Sequence, residues 1–527
     1  MSKPKVVVCD HIHEAGLEML KNDDQIEYVF AADIDKTALL DVIATADIAI
    51  TRSSTDVDKK FINAASKLKA IIRAGVGVDN VDIDGCSKEG IIVMNVPTAN
   101  TIAAVELTMT HMLSCMRMFP YSHDHLKNQR IWKREKWYGY ELKGKRLGII
   151  GFGNIGSRVA IRAKSFEMDV VAYDPYISSS KATDLGVEYT ESFEDILACD
   201  IITIHTPKNK ETLNMIDEEE IARMKDGVVL INCARGGLYN EEALFNNLKS
   251  GKIRFAGIDV FNKEPATDHP LLELDNIIVS PHLGANTFES QYNIGTQAAS
   301  QALNAAKGIE FKNAFNLPID ENKIPAFVKP FLELSQKTAF LAAQTNKAPI
   351  KSIKVSAQGD IAAYLKSLMT FVTVGALTEA LGEKINYVNA EFVAQDRGII
   401  LDFEEEANTS IYKNKITIKV TTEKDVISIS STIFDEDVQR IVDINEFDLD
   451  IEPKGDLILL KNTDVPGVIG HIGTILANNN VNIADFRLGR NNGQALAVII
   501  VDSKVSKETL QELSELEACI SVDYARL

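Results

Sequence analysis

Short apolar runs alternate with stretches of helical periodicity from the start of the chain to about residue 310. This alternation is typical of a parallel β-sheet that helices cover on both faces. A first group of apolar runs is bounded by polar or turn residues and occupies residues 5–9, 47–51, 69–74 and 91–96. The pattern therefore predicts an α/β fold that opens with one parallel sheet.

A second group of strands begins near residue 145. Before it, residues 101–118 carry apolar positions at helical spacing, and residues 121–140 are polar and aromatic enough to cross from one lobe to another. Six apolar runs follow, which are RLGIIGF, DVVAYD, DIITIHT, GVVLINCA, FAGIDVF and NIIVSPH. Six such runs suit a dinucleotide-binding sheet. An alanine-rich helix is predicted for residues 286–308, with a domain boundary near residue 315.

Two further domains are predicted after this boundary. Residues 316–452 mix helices with strands such as ITIKV and VISISS, which indicates an α+β intervening domain without a motif that carries chemistry. Residues 453–527 read as strand, helix, strand, strand, helix and strand. That order predicts a ferredoxin-like βαββαβ unit.

Length, composition and charge agree with several soluble domains. The chain has 527 residues, of which 45% are hydrophobic and 25% charged, and domains average about 150 residues. The formal net charge of −19 disfavours nonspecific binding to nucleic acid or to an anionic membrane, so an anionic ligand needs local positive charge. No apolar run approaches the roughly 20 residues of a membrane-spanning helix, and the first ten residues lack the apolar stretch of a secretion signal.

The cysteines and histidines give no metal motif. Six cysteines lie at scattered positions without a CxxC spacing, which predicts reduced thiols, no disulfides, no cysteine-bound metal and a cytoplasmic protein. The pairs His11/His13 and His123/His125 could be metal ligands, but no other ligand cluster accompanies them. Solvated surface is therefore the favoured interpretation of these pairs.

The glycine motif GFGNIG follows a predicted strand and opens a predicted helix, as a Rossmann βα turn requires. Its glycines allow backbone amides to approach a pyrophosphate, and Asp174 at the end of the next strand can accept hydrogen bonds from an adenosine ribose. A carboxylate there repels a 2′-phosphate, which favours NAD over NADP. The alternative is a structural turn or helix-packing motif. The cofactor residues predicted here are Gly151, Gly153, Asn154, Ile155, Gly156 and Asp174.

Three later loops carry the residues that oxidation of a 2-hydroxy acid needs. His282 can take the hydroxyl proton near neutral pH while the C2 hydride leaves. Glu264 can accept a hydrogen bond from the other imidazole nitrogen and stabilise the imidazolium. Arg235 can form two parallel hydrogen bonds to a substrate carboxylate. Taken singly, His282 could be a packed or surface histidine and Glu264 part of an ordinary turn. Their position at neighbouring strand ends favours a catalytic group.

Arginines in the first lobe indicate a second anionic group on the substrate. Arg52 and Ser53 follow one predicted strand, Arg73 and Gly75 follow another, and Arg134 lies in the crossing segment. In a chain of net charge −19, arginines clustered at one cleft predict a phosphate. The alternative for each is a solvated or salt-bridged surface residue.

The motifs GFGNIG, HTP, NCARGG and PHLGA, together with Asp174, Asp259 and the Glu264-Pro265 pair, resemble those of the D-isomer-specific 2-hydroxyacid dehydrogenases over about residues 3–312. The resemblance implies a flavodoxin-like substrate-binding domain of residues 1–98 and 283–315, and a Rossmann NAD-binding domain of residues 99–282. It implies Arg235, Glu264 and His282 as catalytic residues. The further cofactor contacts it implies are Val76, Thr206, Cys233, Ala234, Arg235, Asp259, His282, Gly284 and Ala285.

Within this family, TRSST, RAGVGVDN, NVPTANT, WKRE and the C-terminal extension resemble the long-chain members that oxidise 3-phosphoglycerate to 3-phosphohydroxypyruvate at the start of L-serine biosynthesis. The implied substrate contacts are Arg52, Ser53, Arg73, Gly75 and Arg134. Arg134 would come from a neighbouring subunit, which implies a homodimer or homotetramer. The tail of residues 453–527 resembles an ACT domain, whose implied contacts to a serine effector are Asn462, Asp464 and Asn482.

Two other functions remain as alternatives. Relatives of this fold serve as transcriptional corepressors that bind NAD and partner peptides, which the arginines and the tail domain disfavour. The second alternative is a dehydrogenase for another 2-hydroxy acid, such as glycerate or lactate.

Overall fold

The computed structural model describes residues 3–317, 324–346, 348–407, 411–435 and 437–527. The first sheet is parallel, in the order β2-β1-β3-β4-β5, which is the flavodoxin-like order that was predicted. Side-chain carboxylates of Asp35 and Asp58 cap two of its helices. The elements are β1 (Lys5–Val8), α1 (Glu14–Lys21), β2 (Glu27–Phe30), α2 (Lys36–Ile43), β3 (Ile48–Thr51), α3 (Lys59–Ala64), β4 (Ala70–Arg73), α4 (Ile83–Lys88) and β5 (Ile92–Asn95).

The second sheet is also parallel, in the order β12-β11-β10-β9-β6-β7-β8. The strands from β8 to β11 follow the Rossmann order, and β12 extends the edge. The elements are α5 (Thr101–Arg117), α6 (Phe119–Lys127), β6 (Arg146–Ile150), α7 (Gly156–Ser165), β7 (Asp169–Tyr173), α8 (Ser180–Thr183), β8 (Glu188–Tyr189), α9 (Phe193–Leu197), β9 (Ile201–Ile204), α10 (Glu218–Arg223), β10 (Val228–Asn232), α11 (Glu241–Ser250), β11 (Ile253–Ile258) and β12 (Ile277–Val279).

Helix α12 (Phe288–Ala306) returns from the second sheet to the first. It packs against α1, β3 and β4, and its buried alanines share a core with isoleucines of the first sheet. The crossing with α1 is close, since a Cβ on Gly16 would lie 2.4 Å from the carbonyl oxygen of Gly295. The first lobe is thus built from two separate parts of the chain.

The intervening domain packs helices on a sheet of order β14-β13-β15-β16-β17-β18, antiparallel except for the β13/β14 pair. Its elements are α13 (Val328–Thr345), β13 (Ile350–Gln358), α14 (Leu365–Leu381), α15 (Ala390–Asp396), β14 (Ile400–Glu405), β15 (Lys415–Thr422), β16 (Val426–Phe434), β17 (Val438–Ile444) and β18 (Phe447–Ile451).

One stretch of this domain corrects a sequence-based expectation. Within the described residues, Asp360–Leu381 is long and apolar enough by composition to cross a membrane, although no apolar run of that length was predicted. Most of its apolar stretch is buried inside the fold, where α14 packs on α13 and β13. The apolar character is that of a core helix in an α+β domain.

The C-terminal domain is an antiparallel sheet of order β20-β21-β19-β22, the predicted ferredoxin-like arrangement. Its elements are β19 (Asp456–Thr463), α16 (Val468–Asn478), β20 (Ile483–Asn491), β21 (Gln494–Val501), α17 (Lys507–Ser514) and β22 (Cys519–Arg526). It is anchored on the intervening domain, where the Gln344 side chain exchanges hydrogen bonds of 3.0 and 2.9 Å with the backbone of Arg526.

Candidate active site

The catalytic candidates lie at the carboxyl ends of neighbouring strands. Arg235 follows β10, Glu264 lies in the loop after β11, and His282 lies just beyond β12. These strands are adjacent and parallel, so their ends meet at one edge of the sheet. The structure therefore brings the three predicted side chains to one place.

His282 and Glu264 form a hydrogen-bonded pair. Nδ1 of His282 lies 2.8 Å from Oε2 of Glu264, and the other carboxylate oxygen accepts a 3.0 Å hydrogen bond from the backbone N–H of Phe261. The hydrogen bond that His282 donates to Glu264 raises the pKa of His282 above its ordinary value, although burial and Arg235 act in the opposite direction. Burial would raise the pKa of Glu264, but its two hydrogen bonds, together with the charges of His282 and Arg235, outweigh burial and lower that pKa.

The loop that carries His282 is held by Asp259. This fully buried carboxylate accepts hydrogen bonds from the backbone N–H groups of Leu283 and Gly284 at 2.7 and 2.9 Å. The carbonyl oxygen of Asp259 accepts a further 2.9 Å bond from the N–H of His282. His282 has a φ of 56°, which is uncommon for a residue other than glycine, and the hydrogen bonds that Asp259 accepts from this loop stabilise that backbone conformation.

Arg235 spans the cleft between the two lobes. Its Nε donates to the carboxylate of Asp79 in the first lobe at 3.0 Å, and its Nη1 donates to the carbonyl of Ala234 at 2.7 Å. The approach is close, because a Cβ on Gly77 would lie 2.2 Å from Nη2 of Arg235. The guanidinium is thus fixed between His282 and the arginines of the first lobe.

Two of the predicted substrate arginines face this position. Burial, together with the charges of Arg235 and Arg52, lowers the pKa of Arg73 to about 10. The Nε of Arg73 is buried with no partner among the described residues, and its Nη1 would lie 1.8 Å from a Cβ on Gly75. Such mutual repulsion between guanidinium groups is relieved by an anion, which indicates an anionic ligand between them.

Hydrogen bonds with two polar side chains, Asp10 and Asn80, fix the loop that carries Arg52. Asp10 accepts hydrogen bonds from the backbone of Arg52 and from the Thr55 hydroxyl, the latter at 2.9 Å. The Asn80 side chain donates 2.7 Å bonds to the carbonyls of Arg52 and Thr55. Ser53 lies exposed beside Arg52. The guanidinium of Arg52 donates to the carbonyl of His11 at 3.0 Å, at the open end of the first sheet.

The glycine turn after β6 is shaped for close backbone approach. Gly151 has a φ of 85°, and a Cβ on it would lie 2.8 Å from the carbonyl of His205. A Cβ on Gly156 would lie 2.1 Å from the carbonyl oxygen of Gly151, whereas the space around Gly153 is open within 4 Å. An open glycine at the start of a helix is the geometry that accommodates a pyrophosphate.

The surrounding residues fit a dinucleotide. The carboxylate of Asp174 accepts hydrogen bonds from the N–H groups of Phe152 at 2.8 Å and Tyr176 at 3.0 Å, which places it beside the turn. The hydroxyl of Thr206 is buried without a hydrogen-bond partner among the described residues. Because buried polar groups are normally hydrogen-bonded, this hydroxyl fits a contact with a bound cofactor. Asn154 and Ile155 lie in the turn before α7. These features support NAD at this edge.

The other predicted cofactor residues border the same edge or cleft. Cys233, Ala234, Gly284 and Ala285 follow β10 and β12, and the carbonyl of Val76 accepts a 2.6 Å bond from Asn95. Burial raises the pKa of the Cys233 thiol, so Cys233 acts as a packed neutral residue. His205 is not a catalytic candidate, because burial lowers its pKa to about 3 and its Nε2 contacts the Thr203 hydroxyl at 3.0 Å.

Arg134 does not meet the other arginines within one chain. It lies in a single helical turn, Arg134–Lys136, and lines a surface groove together with Phe119, Trp132 and Trp137. Arg134 could therefore reach a substrate only in a neighbouring subunit, as the sequence predicts, once two copies of the chain associate.

The predicted effector residues lie at two ends of the C-terminal sheet within one chain. Asn462 and Asp464 lie at the carboxyl end of β19, whereas Asn482 precedes β20 at the end where β19 begins. Asn462 is buried at the end of β19, and its Oδ1 has no partner among the described residues. Asp464 lies 3.5 Å from Nε of Arg490, and Asn482 donates a hydrogen bond to Asp502. Gly467, with a φ of 93°, is the N-cap residue of α16 and follows Asp464 by three residues.

Several residues of the site were not predicted. Asp10, Asn80 and Asp79 position the arginines. Ser280 donates a hydrogen bond to Asp259 and contacts His111 through the same hydroxyl. Asp10 lies two residues after the end of β1, so its place near a strand end was an available signal. His111 lies inside a helix and carries no such signal. Among the described residues, no cluster of side chains could hold a metal ion.

Comparison with protein families divides the chain into consecutive segments. Residues 109–284 match the NAD binding domain of the D-isomer specific 2-hydroxyacid dehydrogenases. Residues 327–445 match the D-3-phosphoglycerate dehydrogenase intervening domain, and residues 457–518 match the ACT domain.

Curated relatives match over nearly the whole chain. A D-3-phosphoglycerate dehydrogenase of Bacillus subtilis is 38% identical over 522 residues, which cover 98% of both chains. One from Archaeoglobus fulgidus is 36% identical over 530 residues and covers 99% of this chain and 100% of its own.

Solved structures match the first two lobes. The D-lactate dehydrogenase of Aquifex aeolicus, complexed with NAD and lactic acid, has a TM-score of 0.53 and 28% identity. It covers 59% of this chain and 98% of its own. A glyoxylate reductase from Paecilomyes thermophila has a TM-score of 0.56 and 27% identity, and covers 60% of this chain and 99% of its own.

Proposed function

We infer the roles of individual residues from one premise: this chain belongs to the D-3-phosphoglycerate dehydrogenase family, within the NAD-dependent D-isomer-specific 2-hydroxyacid dehydrogenases. Its reaction is the oxidation of 3-phospho-D-glycerate to 3-phosphohydroxypyruvate, the first step of L-serine biosynthesis. The observation that carries the assignment of roles is the 2.8 Å bond between His282 and Glu264 beside the guanidinium of Arg235.

His282 is the base. In its neutral form the Nδ1 proton is donated to Glu264, which leaves Nε2 free to accept the C2 hydroxyl proton of the substrate. Bound NAD supplies the acceptor for the hydride that leaves C2. As the C2=O bond forms, the hydroxyl proton passes to Nε2 and the imidazolium is stabilised by the carboxylate of Glu264.

Arg235 and the arginines of the first lobe bind the two anionic ends of the substrate. Arg235 holds the carboxylate and polarises the reacting oxygen, which its fixed position between the lobes supports. Arg52, Ser53, Arg73 and Gly75 bind the phosphate. The lowered pKa of Arg73, caused by burial and by its neighbouring arginines, supports an anion at this place.

A second copy of the chain completes the phosphate site. Arg134 lies on a surface with exposed aromatic side chains, and Trp132 is 76% exposed. A homodimer, alone or within a homotetramer, would cover this surface and bring Arg134 to the neighbouring substrate. A phosphorylated substrate and free cysteines also support a cytoplasmic location.

The cofactor is NAD, and the residues of this chain explain the choice. The glycine amides after β6 receive the pyrophosphate, and the carboxylate of Asp174 holds the ribose and repels a 2′-phosphate. Val76, Asn154, Ile155, Thr206, Cys233, Ala234, Asp259, Gly284 and Ala285 border the rest of the cofactor.

The C-terminal domain binds serine as a feedback effector. The unpartnered Oδ1 of buried Asn462 and the carboxylate of Asp464 supply acceptors for an amino acid at one end of the sheet. The amide of Asn482, at the opposite end, would reach the same effector from a second, paired copy of the domain. A residue of left-handed conformation at Gly467 exposes backbone N–H groups toward a carboxylate.

A substrate panel tests the function. We expect NADH formation, followed by absorbance, with 3-phosphoglycerate, and far lower kcat/KM with glycerate and lactate, because these lack the phosphate that the arginines bind. Equal rates with glycerate or lactate would assign the enzyme to another 2-hydroxy acid. Binding of NAD without turnover of any of the three would favour a corepressor.

A further inference from the structure

A buried imidazole lies behind the catalytic loop. His111, on α5, is 3% exposed, and its ring packs against Gly257 of β11, where a Cβ would come within 2.9 Å of the His111 Cβ. Its Nε2 lies 2.7 Å from the hydroxyl oxygen of Ser280. Its Nδ1 has no partner among the residues that the structure describes. One hydroxyl group therefore links α5 to the loop of His282.

The direction of each hydrogen bond follows from chemistry. The Ser280 hydroxyl also lies 2.6 Å from Oδ1 of Asp259, and an ionised carboxylate can only accept. Ser280 therefore gives its single proton to Asp259 and must accept from the Nε2–H of His111. This makes His111 the neutral tautomer protonated on Nε2, which agrees with its bare Nδ1. Burial lowers the pKa of His111, against the charge of Asp259, and keeps the ring neutral.

The network ends on the backbone of the proposed base. Oδ1 of Asp259 accepts from both Ser280 and the N–H of Leu283, Oδ2 accepts from Gly284, and the carbonyl accepts from His282. All of these bonds hold the segment in which His282 adopts its positive φ. A donor that fixes the Ser280 hydroxyl thus acts on the charge and the loop next to His282.

We propose that His111 is a positioning residue for the oxidation, which acts through Ser280 to orient the hydroxyl that partly neutralises Asp259 beneath His282. The inference rests on the proposed function, in which His282 is the base.

The proposal predicts the sign of a pH effect. Without the Nε2–H donor, the Ser280 hydroxyl rotates and donates less strongly, so Asp259 carries a less compensated negative charge. The protonated form of His282 is then favoured more, and the pKa of His282 rises. Because oxidation needs neutral His282, the acid limb of the kcat/KM profile moves to higher pH.

Other titratable groups around the network do not produce this limb. The charged groups that face His282 are Glu264, Asp259 and Arg235, and none of these is changed. Near His111, burial raises the pKa of Cys115 on α5, of Cys233 after β10 and of Tyr121 on α6, so all three stay neutral across the working range.

The experiment compares full-length variants by kcat/KM for 3-phosphoglycerate against pH at saturating NAD. For His111→Leu and Ser280→Ala we expect the acid limb to move up by about half a pH unit, a roughly threefold loss of kcat/KM below the limb. His111→Gln places an amide N–H near the position of Nε2 and should restore the wild-type limb. Met112→Leu, a buried change on the same helix at a side chain that donates no hydrogen bond, should leave the limb in place.

The outcomes separate this inference from its premise. A wild-type limb in folded His111→Leu, or an equal displacement in His111→Gln, would overturn the positioning role. If His111→Leu does not fold, Ser280→Ala decides, and an unmoved limb in it overturns the role. An acid limb that persists in His282→Ala would instead remove His282 as the base, and the positioning role with it.

Discussion

At the scale of single residues, the site depends on which nitrogen atoms are already occupied. The carboxylate of Glu264 accepts a hydrogen bond from Nδ1 of His282, and that of Asp79 accepts one from Nε of Arg235. Each of the two nitrogen-bearing side chains therefore presents its remaining edge to the cleft. Fixed orientation of this kind places the proton acceptor and the carboxylate clamp before the substrate arrives.

Replacing His282 should abolish hydride transfer without abolishing cofactor binding. We expect His282→Ala to lower kcat by about 10²–10⁴-fold, because the hydroxyl proton loses its acceptor, while the Kd for NAD stays nearly unchanged. The measurements are stopped-flow NADH formation and calorimetric titration with NAD. His269→Ala is the control. It removes a similar imidazole–carboxylate pair, in which Nε2 of His269 lies 3.0 Å from Oε2 of Glu241, and it should keep its turnover. Loss of NAD binding in His282→Ala would contradict the assignment.

Replacing Arg73 should separate phosphorylated from unphosphorylated substrates. A hydrogen bond to a charged group contributes about 1.5–3 kcal/mol, so Arg73→Gln should raise the KM for 3-phosphoglycerate by about 10–100-fold. The KM for glycerate, which has no phosphate to lose, should change little. Initial rates measured over a range of each substrate give both KM values. Equal increases in the two KM values would mean that Arg73 does not contact the phosphate.

At the scale of elements, two glycines of the turn between β6 and α7 lack a side chain for different reasons, one for packing and one for the ligand. Gly156 lies against the carbonyl of Gly151, and a side chain there meets backbone at 2.1 Å. Gly153 has open space beside it, so its lack of a side chain serves the ligand and not the fold.

Alanine substitution at the two glycines should therefore change different properties, NAD affinity at Gly153 and thermal stability at Gly156. We expect Gly153→Ala to keep the wild-type Tm but to bind NAD more weakly, by tenfold or roughly 1.4 kcal/mol, because the new methyl group meets the pyrophosphate. Gly156→Ala should lower the Tm in the absence of NAD. Thermal unfolding with and without NAD measures both effects. A Gly153→Ala variant with unchanged Kd would argue against a pyrophosphate at this turn.

The sequence was most informative where buried strands end. His282, Glu264, Arg235 and Asp174 follow apolar runs, and the structure places them at one edge. The strands β2 (Glu27–Phe30) and β8 (Glu188–Tyr189) were missed, because one is half-exposed and the other is only two residues long. Strands β17 and β18 were not named either, since polar residues interrupt the apolar run of β17 and β18 alternates over only five residues.

Contacts between distant segments lay beyond prediction. Asp79 with Arg235, and His111 with Ser280, are joined across the two lobes or from a helix to a loop, and no local spacing records such pairs. Their existence depends on how the lobes pack.

At the scale of the whole molecule, the C-terminal domain is connected to the first lobe through the intervening domain. Asn491 donates to the carbonyl of Glu446 at 3.1 Å between those two domains. Further along, Asn386 donates to the carbonyl of Gly90 at 2.9 Å, and Val388 is buried in the core of the first lobe. An effector in the tail thus has a continuous packed route to the lobe of Arg73.

Serine should lower the initial rate at fixed substrate. Coupling between sites typically changes affinity about 5–150-fold, so inhibition should be measurable in an NADH assay as serine is titrated. Asn482→Ala should weaken the response, because it removes an amide that faces the effector. Asn478→Ala, an exposed asparagine of α16 outside the proposed site, is the matched control. A flat response of the wild-type enzyme would remove serine as its effector.

The return of α12 to the first sheet has a consequence for how the protein is made. During synthesis the apolar face formed by Ile48, Ile50 and Ile72 emerges early, but its cover of alanines is translated only after the entire second sheet. At 5–20 residues per second, the nascent first lobe remains uncovered for roughly ten to forty seconds. On the ribosome, the inserted NAD-binding lobe can therefore finish folding before the lobe that precedes it, and the exposed isoleucine face is the place where a chaperone would be needed.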